Sequence, residues 1–174
     1  MPGSRAWAFA IFIGFVGATA CDRTPSAPLP PSVATALAAL TNECSRVNGL
    51  PRAENAVQRA DLNADGAEDF VLYAGWIVCE NAWSVYGDRA KALTVFAGDR
   101  HGGAAQAFSD SVYDATIEKH GEAAQLWLGT AAEQCGRPRA EVFADETFCD
   151  RAIAWQAGAA RFDYAPLDTV RLIK

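Results

Sequence analysis

The sequence predicts an α+β fold: an N-terminal helix packed on an antiparallel β-meander of about six to eight strands, stapled by disulfides. Three observations lead there. Residues 32–48 carry helical apolar periodicity, the chain beyond them breaks into short apolar runs separated by polar or glycine-rich turns, and four cysteines are spread over residues 44–149.

Met1 to Ala20 has Arg5 as its only charged side chain, an uncharged run from Ala6 to Val16, and the small residues Gly17-Ala18-Thr19-Ala20. This is the pattern of an export signal, too short for a permanent span. Ala18-Thr19-Ala20 fits ordinary signal-peptidase cleavage. Cys21 directly after Ala20 is also similar to the lipobox of bacterial lipoproteins, which makes Cys21 a lipidation candidate, although Ala18 departs from the Leu or Val usual there. The expected organisation is a signal peptide over residues 1–20, a Pro-rich tether over 21–32, and a single α+β domain over 33–174. Asp22 to Ser32 holds four prolines and one large apolar residue, Leu29, too little apolar surface to fold.

Without residues 1–20 the chain keeps 14 Lys and Arg against 21 Asp and Glu, a net of −7. The basic residues are scattered among acids, which argues against nucleic acid as a partner.

In chain order, Val33, Leu37, Leu40, Cys44 and Val47 define the apolar stripe of a helix with Ser32 as its N-cap and Gly49 as its stop. Asn55–Ala60 is a candidate strand. Asp69–Val78 is the clearest one, with Phe70, Leu72, Ala74 and Trp76 on one face and Val71, Tyr73 and Ile77 on the other. Apolar on both sides, it belongs in the middle of a covered sheet. Glu80–Lys91 is irregular. Further strands are expected at Ala92–Ala97, Ala104–Phe108, Val112–Glu118, Ala123–Thr130, Ala152–Gln156 and Arg161–Ala165, with Trp155 and Phe162 in the core.

Cys44, Cys79, Cys135 and Cys149 are even in number and contain no C-x-x-C, so in an exported chain they favour two disulfides over a metal site. Three connectivities are possible. Cys135 and Cys149 bracket a short loop between strand-like regions and form the natural local staple, which leaves Cys44 to pair with Cys79.

The chemistry-bearing stretch is Asp61-Leu62-Asn63-Ala64-Asp65-Gly66-Ala67-Glu68-Asp69. Oxygen side chains at positions one, three, five and nine, with glycine at six, form the front of a calcium loop. The expected ligands are Asp61, Asn63, Asp65, the Ala67 carbonyl, and Asp69 directly or through water. The twelfth position is Leu72 instead of a bidentate Glu. The loop therefore resembles the shorter FG-GAP-type and dockerin-like segments, in a strand-loop-strand setting. The ion it implies is Ca2+ as a structural rivet at the entry to the central strand; the competing account is an Asx-stabilised turn.

His101 and His120 fall in predicted turns and are expected to be solvated. Ser109, Asp110 and Ser111 are adjacent, but no nucleophile elbow surrounds them. Asp145, Glu146 and Asp150 flank Cys149 and are expected on a solvated loop. Trp76, Trp83, Trp127 and Trp155, with Tyr73, Tyr86, Tyr113 and Tyr164, serve either as core filling, the preferred account, or as an aromatic sugar-binding surface.

With these residues in view, the chain resembles a group of uncharacterised exported proteobacterial proteins. The likeness rests on the signal-like N-terminus, the cysteine-bearing helix, the Asp-Leu-Asn-x-Asp-Gly-x-x-Asp segment, Leu93-Thr94-Val95-Phe96-Ala97-Gly98-Asp99, Cys135-Gly136, and the Trp155–Phe162 hairpin. It spans most of residues 33–165, and the Gly-Cys pair often found before the Leu93 strand is missing. The resemblance implies an exported location, a calcium-loop-like hairpin and disulfides, and no activity. The functional expectation is a non-catalytic periplasmic or envelope protein that binds a protein or glycan and meets the membrane only through a lipid anchor at Cys21. The alternative is a secreted enzyme or enzyme inhibitor with a loop-built site.

Overall fold

A computed structural model describes residues 27–120 and 123–173. The signal peptide and the lipidation candidate Cys21 lie outside the described residues, as does the first half of the tether, residues 21–26.

The first described element is helix α1, Pro31–Arg46. It begins earlier than expected and takes Pro31 and Ser32 from the predicted tether. Proline suits the first helical position because the N–H it lacks would have no partner there. The N-cap is Pro30, and Ser32 sits in the first turn with its hydroxyl donating to the Ala104 carbonyl at 2.6 Å. The helix is stopped by Asn48, whose φ is 60°, with the Val47 and Gly49 N–H groups donating to the Cys44 carbonyl. Gly49 has another job. A Cβ there would lie 2.3 Å from Cys79 Sγ and 2.7 Å from Cys44 Sγ, so glycine makes room for the disulfide joining those residues.

Eleven strands follow among the described residues, more than predicted, in two sheets and a ribbon. The ribbon pairs β1 (Leu50–Arg52) with β4 (Val78–Glu80). The first sheet runs β2 (Val57–Ala60), β3 (Asp69–Tyr73), β5 (Lys91–Gly98), β6 (Ala104–Val112), all antiparallel. The second joins β7 (Asp114–His120), β8 (Ala123–Ala131), β9 (Phe148–Gln156) and β10 (Arg161–Tyr164), with the short β11 (Arg171–Leu172) also on β9. Consecutive strands pair almost throughout, so the meander is real but divided between two layers.

The layering follows from β3, whose five residues are all buried. Phe70 and Leu72 on one face join Phe96, Ile77 and Val33, with Leu37 and Leu40 of α1 packed alongside. Val71 and Tyr73 on the other face join Leu93, Val95 and Val112 against Leu126, Leu128, Ile153 and Phe162 of the second sheet. The result is helix on sheet on sheet, with β3 and β5 in the middle layer. Trp155 packs on Phe162 at 4.9 Å between centroids, as expected for the last hairpin.

The strand predicted over Asp69–Val78 stops at Tyr73. A single 3-10 turn, Ala74–Trp76, interrupts it, and the Ile77 N–H donates to the Ala74 carbonyl. This reverses the two-residue alternation beyond Tyr73. Trp76 packs edge-on against Tyr73 at 5.4 Å, in the inter-sheet core, and Ile77 joins the helix side. After the turn the chain leaves the sheet to form β4, which brings Cys79 to Cys44.

Candidate functional site

The loop between β2 and β3 turns through two left-handed residues, Ala64 at φ 59° and Gly66 at φ 82°. Its polar side chains accept from its own backbone. Asp61 takes the N–H groups of Asp65 at 3.2 Å and Gly66 at 2.9 Å, Asn63 Oδ1 takes Asp65 N–H at 3.0 Å, and Asp65 Oδ1 takes Ala67 N–H at 2.7 Å. Asn63 Nδ2 donates to Asp65 Oδ2 at 3.0 Å, and Arg100 Nη2 donates to the Asp65 carbonyl at 2.7 Å. These bonds curl the loop around its first, third and fifth side chains. They equally satisfy an Asx turn. Among the described residues, no three His, Cys, Asp or Glu side chains are gathered for a metal ion. The donor set itself, two carboxylates and an amide with a glycine at the reversal, is chemically suited to calcium.

Asp69 is placed differently from the other three. Its side chain is fully buried, and its two oxygens accept Leu62 N–H at 2.8 Å and Gly98 N–H at 3.0 Å. It therefore ties the start of the loop to the end of β5. Burial pushes its pKa up to about 6 against the two backbone donors, with the charges of Asp65 and Asp61 adding to the rise. A carboxyl group that binds its proton more tightly in the folded state stabilises the fold most below its unfolded pKa of about 4, and that contribution is lost as pH rises through the folded value. In calcium-free buffer, the parent should therefore lose stability relative to Asp69→Asn between about pH 4 and pH 6. Urea midpoints of the two proteins across that range check this, and parallel curves would contradict it.

The second feature is a cleft of about 540 Å³. It opens where β6 passes into β7, beside the end of β8, under the loop closed by the Cys135–Cys149 disulfide. It is lined by Asp110, Ser111 and Tyr113 from the passage between β6 and β7, Thr130 and Gln134 at and after the end of β8, and Arg139, Glu141, Phe143 and Glu146 of the strap. Arg89 reaches in from the β4–β5 loop and lies over the Phe143 ring at 3.8 Å. Asp110 is held by Tyr164, whose hydroxyl donates to it at 2.8 Å; burial and that bond raise the tyrosine pKa. Glu146 folds back to accept Ala140 N–H and its own neighbour Thr147 N–H. Two carboxylates are raised chiefly by burial, Asp69 and Asp150, and neither lines the cleft.

Both predicted disulfides are present, Cys44–Cys79 and Cys135–Cys149. His101 is exposed in the β5–β6 turn, while Lys119 and His120, predicted within a turn, are the last residues of β7, with His120 paired to Ala123. Ser109, Asp110 and Ser111 lie on β6, not on a strand-to-helix elbow. Asp150 is on β9 opposite Arg171, not in the loop with Asp145. The aromatic residues do not assemble into one surface. Tyr73 is buried and donates to the Val112 carbonyl, Tyr86 donates to the Leu40 carbonyl, and Trp127 lies under Arg171 at 3.4 Å. Trp83, 74 % exposed, stands out of the β4–β5 loop. Arg89, Arg139 and Phe143 were invisible as site residues, because they fall in segments that lack periodicity.

Fold and site together define a small three-layer α+β domain with two disulfides, an oxygen-rich turn at the entry to its central strand, and one strapped cleft. No family model matches the chain, and comparison with curated proteins and with solved structures finds none that matches. Among the described residues, no helix is long and apolar enough to cross a membrane.

Proposed function

We propose that this chain is a non-catalytic exported envelope protein whose domain, held by two disulfides and a structural calcium ion at Asp61–Asp69, binds a protein or glycan partner in the strapped cleft. The observation that carries this is the cleft itself. Its volume lies within the range of small-molecule sites, and its strap is closed by a disulfide, a bond that persists in oxidising compartments. An enzyme built on the same cleft has less support, because Asp110 and Glu146 both spend their oxygens on protein donors.

For the ion, Asp61, Asn63 and Asp65 are the side chains that hold it, and the Ala67 carbonyl and Asp69 complete the set. Calcium would neutralise the crowded carboxylates and contribute to stability by binding only the native state. The double substitution Asp61→Ala/Asp65→Ala should therefore lower the melting temperature in 10 mM calcium by about 5 °C, given an extracellular-type affinity, and should remove the response to calcium. A double variant that melts with the parent and still gains stability from calcium would place the ion elsewhere. For the cleft, envelope glycans and proteins retained by the immobilised, oxidised chain should be released by Phe143→Asp. Retention by that variant at the parent's level would rule out the cleft as the binding surface.

A further inference from the structure

We infer that the strapped cleft takes a saccharide carrying a carboxylate, held by the guanidinium groups of Arg89 and Arg139. This deepens the proposed function and rests on the cleft being the binding site. The whole chain is acidic, with a formal net charge of −6, and the cleft itself sets three acids, Asp110, Glu141 and Glu146, beside two arginines, Arg89 and Arg139, yet neither arginine is in direct ion-pair contact with any of them. Among the described residues, the ion pairs are Arg52–Glu80, Arg59–Glu68, Arg161–Asp163 and Arg171–Glu118, and neither cleft arginine takes part.

Three acids line the same space, and two are already committed. Asp110 accepts from the Tyr164 hydroxyl at 2.8 Å and from Ser111 N–H at 2.7 Å. Glu146 accepts from Ala140 N–H at 3.4 Å and Thr147 N–H at 3.0 Å. Glu141, exposed on the strap, remains to accept hydroxyl donors.

Arg89 is presented rather than free. Its guanidinium carbon lies over the Phe143 ring, 3.8 Å from the centroid, and this contact restrains the side chain and lowers the entropy lost on binding. A planar guanidinium pairs with a carboxylate through two parallel hydrogen bonds, which gives orientation as well as strength. Around the arginines, the Ser111 and Tyr113 hydroxyls and the Gln134 amide offer the mixed donors and acceptors that a polyhydroxylated ring uses. A purely apolar ligand would strand these groups, and a simple inorganic anion would leave most of the 540 Å³ unfilled.

The test is isothermal titration calorimetry on the oxidised full chain with digalacturonate, its dimethyl ester, and triglutamate. The expected result is digalacturonate binding that weakens at least tenfold for the ester, at least tenfold for Arg139→Gln, and progressively with added salt. Arg46→Gln, at the end of α1, should bind as the parent does. The salt titration reads the charge without any substitution, so it stands even if the Arg139 variant folds poorly. Equal affinity for acid and ester would overturn the inference while leaving the cleft a neutral-glycan site. Triglutamate binding as tight as digalacturonate would overturn the saccharide assignment in favour of acidic peptide. No binding of any of the three overturns the inference outright, and the Phe143→Asp retention assay then decides the fate of the cleft separately.

Discussion

Gly98→Ala should be the most damaging single methyl group that can be added to this chain. A Cβ at residue 98 would lie 1.9 Å from the Glu68 carbonyl oxygen and 3.0 Å from its carbon, both backbone atoms with no rotamer to yield. Relief would require β3 and β5 to separate where Gly98 N–H donates to the buried Asp69 carboxylate. That would add an unsatisfied buried carboxylate oxygen to the steric cost. A loss of at least about 3 kcal/mol is expected, visible as a large fall in the urea midpoint or as failure to fold. Gly158→Ala is the matched control. No atom lies within 4 Å of its added Cβ, so it should stay within about 0.5 kcal/mol of the parent. If the two variants unfold together, the approach of β5 to the loop is looser than described.

The second large effect is expected from removing Cys44–Cys79. This disulfide spans 35 residues and anchors the end of α1 to β4, outside the main sheets. Limiting the unfolded chain by a loop of that length is worth about 4 kcal/mol, against about 3 kcal/mol for the 14-residue Cys135–Cys149 closure. Cys44→Ala/Cys79→Ala should therefore lower stability by about 4 kcal/mol and loosen α1 without changing the cleft. Cys135→Ala/Cys149→Ala should cost less stability but free the strap carrying Arg139 and Phe143. Denaturation midpoints of the two double variants decide this. A larger loss from the second pair would mean that the strap, not the helix, is the weak point of the fold.

These contrasts reflect what the chain makes legible. Phe70 to Tyr73 is apolar at every position, a pattern that only a strand covered on both faces can satisfy, and so the central strand and the helix above it could be read directly. The disulfide pairing was also accessible, since four cysteines with one short bracket leave a natural remainder. The turn at Ala74–Trp76 was not, because a single 3-10 turn has no sequence period and the apolar run continues through it. The ribbon of β1 and β4 was missed for a related reason: each strand has three residues, one of them Pro51, too few for an alternation to show. The early start of α1 turned on Pro31, which reads as tether in a proline-rich stretch yet is a favoured first residue of a helix.

The cleft was hidden at the level of topology. Arg89, Tyr113, Arg139 and Phe143 come from three separate segments that meet only because β6 turns into the second sheet and the disulfide folds the strap back. No local spacing encodes such a meeting. The oxygen-rich loop is the opposite case, fully visible in sequence. Its structural surprise is Asp69, expected as one ligand of four side chains and found tying Leu62 to Gly98 from a buried position.

If disulfides and a calcium ion together hold this domain, the melting temperature of the oxidised protein should differ between excess EDTA and 10 mM calcium. A rise of about 5 °C is expected on adding calcium, and Asp61→Ala/Asp65→Ala should lose it. Identical melting of well-folded protein in both buffers would contradict this and reduce Asp61–Asp69 to a turn.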